Sequence, residues 1–113
     1  MMFCVAQYEG RLTGGLVLIP YSRSPKTAHI LNLEMWLVKD HRGQGISSAL
    51  VDYALGWARQ VPEIREIVLG VLNVNPRVIA LYRRFGFHIE DCCRNILMVQ
   101  GKPVDEVLMT CDL

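Results

Sequence analysis

Net charge is almost absent from this chain, whose 12 lysines and arginines stand against 11 aspartates and glutamates, leaving +1 with histidine neutral. Bulk electrostatics therefore give it no pull toward nucleic acid or an anionic membrane surface, and neither is expected as a partner. Long apolar runs are missing as well. No stretch approaches the roughly 18 residues that cross a bilayer, and Gln7 and Glu9 break the N-terminal apolar residues too early for a secretory signal. A cytoplasmic location is the expectation. Cysteine is scarce: Cys4, Cys92, Cys93 and Cys111 make no C-x-x-C and have no histidine at metal-ligand spacing, and an adjacent pair bridges internally only with difficulty. They read as reduced thiols. His29, His41 and His88 show no metal-like spacing either, so no metal is expected. Repeats, low-complexity tracts and linkers are lacking too, and 113 residues make one domain over 1–113.

What is present is core material: 51% of residues are hydrophobic and 20% charged, the balance of a packed globular domain. Residues 2–8, "MFCVAQY", and 12–21, "LTGGLVLIPY", read as strands around the turn "EGR". After the polar loop "YSRSPKT", residues 28–38, "AHILNLEMWLV", form a long strand whose near-continuous apolar character predicts burial on both faces. Trp36 and Trp57 read as core. Ile46, Ala49, Leu50, Tyr53, Ala54, Trp57 and Ala58 follow the i, i+3, i+4, i+7 spacing of a core-facing helix, which Pro62 ends by pushing Val61 out of helical conformation. "IREIVLGVL" is a strand. Asn75 then caps a helix with Pro76 at its first position. Val78, Leu81, Tyr82 and Phe85 share that helix's buried face, and Gly86 closes it as a left-handed C′ residue. Three strands follow, "FHIEDCC", "NILMVQ" and, past the turn "GKP", "VDEVLMTCDL". The order β-β-β-α-β-α-β-β-β predicts an α/β (α+β) domain with a mixed sheet, two helices and ligand sites near the carboxyl ends of the strands.

The stretch "RGQGISSALVDYALGWA" runs a glycine-spaced turn straight into the first helix. Gly43 and Gly45 can take backbone angles closed to other residues and let a ligand approach the main chain. The helix start leaves amide N–H groups unpaired and carries about half a positive charge, and Arg42 adds planar donors suited to phosphate oxygens. This is a phosphate or pyrophosphate site, or a tight turn without a ligand. It is not a P-loop, because no lysine follows either glycine. A dinucleotide fingerprint also fails, since Ser48 holds the third glycine position.

The same stretch resembles the acyl-CoA-binding motif of the GNAT superfamily of N-acyltransferases: Gln or Arg, two residues, Gly, one residue, then Gly or Ala. Arg42, Gly45 and Ser47 hold its fixed positions. Ser47 departs from the usual Gly or Ala and adds a hydroxyl that can donate to the pyrophosphate. A second stretch, "NVNPRVIALYRRFGF", resembles the superfamily's later motif N-x-x-A-x-x-L-Y-x-x-x-G-F through Asn75, Leu81, Tyr82, Gly86 and Phe87, with Val78 replacing the small residue. "CRNILMVQGKPVDEVLM" is similar to the closing hairpin of members that act on free amino acids and other small amines. The resemblance implies a GNAT-type, mostly antiparallel sheet and acetyl-CoA as co-substrate. It also implies that the chain begins at the family's second strand, without the first strand and helices that cover the acceptor site, leaving that site open, completed by another subunit, or absent. A homodimer is expected, because the apolar terminal strands otherwise leave open edges.

On this resemblance the cofactor lies along Leu37, Val38 and Leu72 through their main chain. Its phosphates lie on Arg42, Gly43, Gln44, Gly45, Ile46 and Ser47, and Asn75 either bonds it or only caps its helix. A backbone N–H near Leu37 polarises the thioester carbonyl. Tyr82 is the general acid, or a core tyrosine. Glu34 is the general base, or an ion-pair partner or outward-facing residue. Arg83 and Arg84 read as a solvated face and His41 as solvent-facing. The implied reaction is direct acetyl transfer in a ternary complex to a primary amine, such as an amino acid. The alternatives are a protein N-terminus or lysine as acceptor, or a CoA-binding module without turnover. An α-amine asks less of a base, being about 10 to 15% neutral at pH 7 where a lysine amine is under about 0.1%.

Overall fold

Two glycine turns set the ends of the sheet. In the computed structural model, which describes residues 2–38, 45–72 and 76–113, strand β1 (Met2–Tyr8) returns as β2 (Arg11–Pro20) through Glu9 (φ 52) and Gly10 (φ 77). Near the other terminus β5 (His88–Val99) returns as β6 (Lys102–Asp112) through Gln100 (φ 52) and Gly101 (φ 78). Two consecutive left-handed residues make the turn whose twist matches paired strands. Between the hairpins run β3 (Ile30–Leu37), α1 (Ile46–Arg59), β4 (Glu66–Leu72) and α2 (Pro76–Arg84). The six strands form one sheet in the order β1-β2-β3-β4-β6-β5, antiparallel throughout except for the central β3–β4 pair. The sheet's edges are thus β1 and β5, while the C-terminal β6 is enclosed on both sides. No helix among the described residues is long and apolar enough to cross a membrane.

The expected mixed, mostly antiparallel sheet with two helices is what the chain forms. Two stretches expected as separate strands, "FHIEDCC" and "NILMVQ", run together as β5, whose pairing with β6 slips between Cys93 and Leu97. The core lies on one face, where Leu16 and Leu18 of β2, Leu31 and Leu33 of β3, Ile67 and Leu69 of β4 and Met109 of β6 meet Val51, Ala54 and Leu55 of α1 and Tyr82 of α2. The buried face of α1 is turned from the expected one. Val51 and Leu55 are buried, whereas Ala49 and Tyr53 are exposed. Spacing alone could not choose between two overlapping apolar stripes.

A second correction concerns β3. Leu31 and Leu33 are buried but Glu34 and Trp36 are exposed, so the strand alternates instead of burying both faces. Trp36 is 43% exposed on the face away from the helices. Trp57, by contrast, packs half-buried against the core.

Helix α2 ends as its sequence predicts. Gly86 sits at φ 95, its N–H bonds the Arg83 carbonyl at 3.1 Å, and the Phe87 N–H reaches the Tyr82 carbonyl at 3.1 Å. This double closure satisfies carbonyls the helix would otherwise leave unpaired. It also delivers Phe87 edge-on to Tyr82, with ring centroids 5.4 Å apart at 63°.

Candidate active site

The two central strands separate. β3 and β4 pair only at Ile30↔Glu66, Leu31↔Ile67 and Asn32↔Val68, yet β3 continues to Leu37 and β4 to Leu72. Their outer edges stay fully paired over that length, β3 with β2 and β4 with β6. Hydrogen-bond phase then identifies the main-chain groups that line the gap. The Val38 N–H donates to Thr13 O at 2.9 Å and the Tyr21 N–H to Ile30 O at 3.1 Å, so even-numbered β3 residues bond β2. The Leu113 N–H donates to Arg65 O at 3.0 Å, so odd-numbered β4 residues bond β6. Alternation turns the main-chain groups of Met35 and Leu37 on one lip, and of Gly70 and Leu72 on the other, into the gap. No ladder pair takes them up among the described residues.

Leu37 and Leu72, named as cofactor residues from the sequence, both turn main-chain groups into the gap. Val38 does not offer its own N–H, which is held by Thr13. The sequence reading missed Met35 and Gly70. Their signal was the alternation itself, which becomes readable only once one bond on each outer edge fixes its phase.

Gly45 precedes α1 at φ 78, in left-handed conformation, with no side-chain cap on the helix. Its carbonyl accepts the Ala49 N–H at 3.1 Å, and a Cβ there would meet nothing within 4 Å. The first helical N–H groups, Ile46 and Ser47 among them, thus begin a helix without an internal acceptor, next to open space. Ser47 is half-buried and Ile46 packs against the core. Arg42, Gly43, Gln44 and Asn75 lie outside the described residues, as does His41.

Tyr82 is only 4% exposed and sits in the core cluster. Burial pushes its phenol up to about 12, so the group is protonated at neutral pH. No described residue hydrogen-bonds its hydroxyl. Glu34 is exposed on the opposite face and has no ion-pair partner among the described residues. The adjacent glycines of β2 make room for Trp36: a Cβ on Gly15 would lie 2.6 Å from its indole, so the ring lies over Gly15, on the β2 side of β3. Gly14 likewise leaves room for Leu37, whose Cδ2 a Cβ would approach to 2.6 Å.

Two other features are not this site. A groove of about 710 Å³ lined by Ile19, Pro20, Arg23, Leu31 and Ile64 lies at the end where β3 and β4 are still paired. On β5 and β6, Thr110 Oγ1 lies 3.0 Å from His88 Nε2 and donates to Glu90 Oε1 at 3.2 Å, while His88 Nε2 is 3.1 Å from the same oxygen. Both partners meet one ring nitrogen, Nε2, so among the described residues no relay runs across the imidazole. No group of three or more potential metal ligands occurs among the described residues.

A sheet whose central parallel strands come apart beside an uncapped helix start is the arrangement expected from the GNAT resemblance. The Acetyltransferase (GNAT) family matches residues 1–87, and the chain belongs to that family. It is 34% identical over 86 residues to N-acetyltransferase family 8 member 2 of Rattus norvegicus, a match covering 75% of this chain and 38% of that protein. The chain thus spans little more than a third of that relative's length. Among solved structures it is similar to a GNAT-family acetyltransferase of Streptococcus pneumoniae (TM-score 0.92, 25% identity, 98% of this chain and 66% of that one). It is also similar to a GNAT superfamily phosphinothricin acetyltransferase of Sinorhizobium meliloti in complex with acetyl-CoA (TM-score 0.92, 22% identity, 98% and 60%). A third is the ribosomal-protein-alanine N-acetyltransferase of Brucella melitensis (TM-score 0.90, 24% identity, 98% and 68%). One fold thus serves proteins named for a small-molecule and for a protein acceptor.

Proposed function

We propose that this domain binds acetyl-CoA and transfers its acetyl group to a primary amine by direct attack in a ternary complex. The observation that carries the reading is the gap between β3 and β4 in a chain of the GNAT family. Met35, Leu37, Gly70 and Leu72 offer main-chain donors and acceptors on its two lips, as a missing strand would require, which suits the amide-bearing pantetheine arm. The uncapped amides after Gly45, with Arg42, Gly43, Gln44 and Asn75 of the neighbouring segments, take the phosphate end.

Acetyl-CoA supplies the activated acyl group as a thioester. The Leu37 N–H, aimed into the gap, is the donor for the oxygen that gains charge when the amine attacks. Tyr82 is assigned to the departing sulfur by its place in the family's later motif. Its phenol, at about 12, is a weaker acid than a thiol of about 8.5. It therefore acts by donating a hydrogen bond as charge builds, more than by giving the proton away. Glu34, on the exposed face, takes the acceptor's proton through water.

The favoured acceptor is a small-molecule amine such as an amino acid. The exposed sheet face supports a protein N-terminus or lysine as the second reading, because Trp36 and Glu34 stand on an open surface that an extended chain can reach. A homodimer fits the edge strand β1, whose Phe3 and Val5 are exposed; light scattering at micromolar concentration decides it, and a monomer mass removes it. A cytoplasmic setting is part of the same proposal.

The test is CoA release from acetyl-CoA with amino acids, polyamines and peptides, alongside Tyr82→Phe. Turnover of one acceptor, slowed roughly 100-fold in the variant, is expected. Tight acetyl-CoA binding with no turnover of any acceptor would instead make the domain a CoA-binding module.

A further inference from the structure

Gly70 stands in the middle of β4, where glycine weakens a strand. Its missing side chain is not idle space. The carboxylate of Glu106, reaching diagonally from β6, occupies the place a Cβ on Gly70 would take. Gly70 and Glu106 both point away from the core: their strand neighbours Leu69 and Val71, and Val107, are the ones packed under the helices. Gly70 is also one of the β4 residues, with Leu72, whose main-chain groups turn into the gap. Glu106 is thereby held against the β4 lip, on the face where Glu34 and Trp36 of β3 are exposed.

The carboxylate is half-buried, and no described residue pairs with it or hydrogen-bonds it. Neither β3 nor β4 carries a lysine or arginine. A half-buried carboxylate with no partner among the described residues coincides with a mid-strand glycine. A cation arriving from solution at that point supplies the partner.

Resting on the acetyl-transfer reading above, we propose that Glu106 is the acceptor-positioning residue. It holds the ammonium form of a cationic primary amine over the β4 lip, and Gly70 is glycine so that the carboxylate can lie there. The acceptor class is therefore a primary amine that is charged when it binds, and an acceptor neutral at pH 7 is disfavoured.

The experiment uses the full chain loaded with CoA and 1,4-diaminobutane as probe, with binding read by calorimetry and by amide chemical shifts on β4 and β6. CoA affinity is measured separately for every variant. Glu106→Gln keeps the shape and removes the charge, and is expected to weaken diamine binding at least tenfold while leaving CoA affinity within twofold. Gly70→Ala displaces only the far end of a flexible side chain, so it folds normally yet weakens the diamine comparably. In the double variant the alanine adds nothing, because its effect runs through the carboxylate. Diamine binding by Glu106→Gln equal to the parent's, or no diamine binding by the CoA-loaded parent, overturns the proposal. Failure of CoA itself to bind would instead sink the acetyl-transfer reading on which it rests.

Discussion

Raising the pH past 10 isolates the environment of Tyr82. A tyrosine in the unfolded chain ionises near 10, whereas burial pushes this one up to about 12. Between those values the unfolded chain gives up a proton that the folded protein keeps, so folding loses stability as pH rises through that window and none is lost below it. With about 1.4 kcal/mol per unit, the loss is about 1.4 kcal/mol at pH 11 and approaches about 3 kcal/mol beyond pH 12. Other groups titrate there too, so the quantity to follow is the difference between the parent protein and Tyr82→Phe in urea unfolding at pH 9, 10, 11 and 11.5. That difference should shift in favour of the phenylalanine variant by the stated amounts. Absorbance at 295 nm should show a late tyrosine ionisation that the variant lacks. Parallel stability curves up to pH 11 would refute the burial argument, and with it the description of Tyr82 as a protonated donor held in a dry setting.

Gly86→Ala forces a side chain into φ 95 and should destabilise the fold by about 1–2 kcal/mol, read as a lower urea midpoint with unchanged slope. Gly15→Val drives a Cβ into the Trp36 indole and should cost about 1–3 kcal/mol while shifting tryptophan emission, since that ring must leave its place on β2; an unchanged spectrum would show the ring is not seated there. Leu69→Ala, fully buried at the centre of the sheet, should cost about 2–5 kcal/mol by chemical denaturation.

How far the sequence could be read follows from which physical signals are local. Gly86 and Gly45 were legible because a left-handed residue at a helix end leaves glycine in the sequence whatever surrounds it. The two turns were legible for the same reason. The faces of β3 were not: "LNLEMWL" carries apolar residues on both sides of the strand, and only the helices' position on one side decides that Trp36 faces out. Glu106 was invisible for a different reason. Its partner is the empty space at Gly70, 36 positions earlier, and the relation exists only in the register of β4 against β6. The signal that could have prompted a search was a glycine inside the strand "EIVLGVL", which implies close approach by something else. Glu34 was read as a general base, an ion-pair partner or an outward-facing residue, and a carboxylate inside an apolar strand is costly if buried. The strand's alternation removes that cost by placing Glu34 in solvent, and its role now rests on its place beside the gap.

The central claim is that an extended, amide-bearing arm adds itself between β3 and β4. Hydrogen–deuterium exchange of the backbone amides with and without CoA tests it residue by residue. The account predicts new protection at Met35, Leu37, Gly70 and Leu72, with little change at Trp36 and Val38, whose amides already face β2. Protection confined to the groove around Pro20, Arg23 and Ile64, or none on either lip of the gap at saturating CoA, would contradict it.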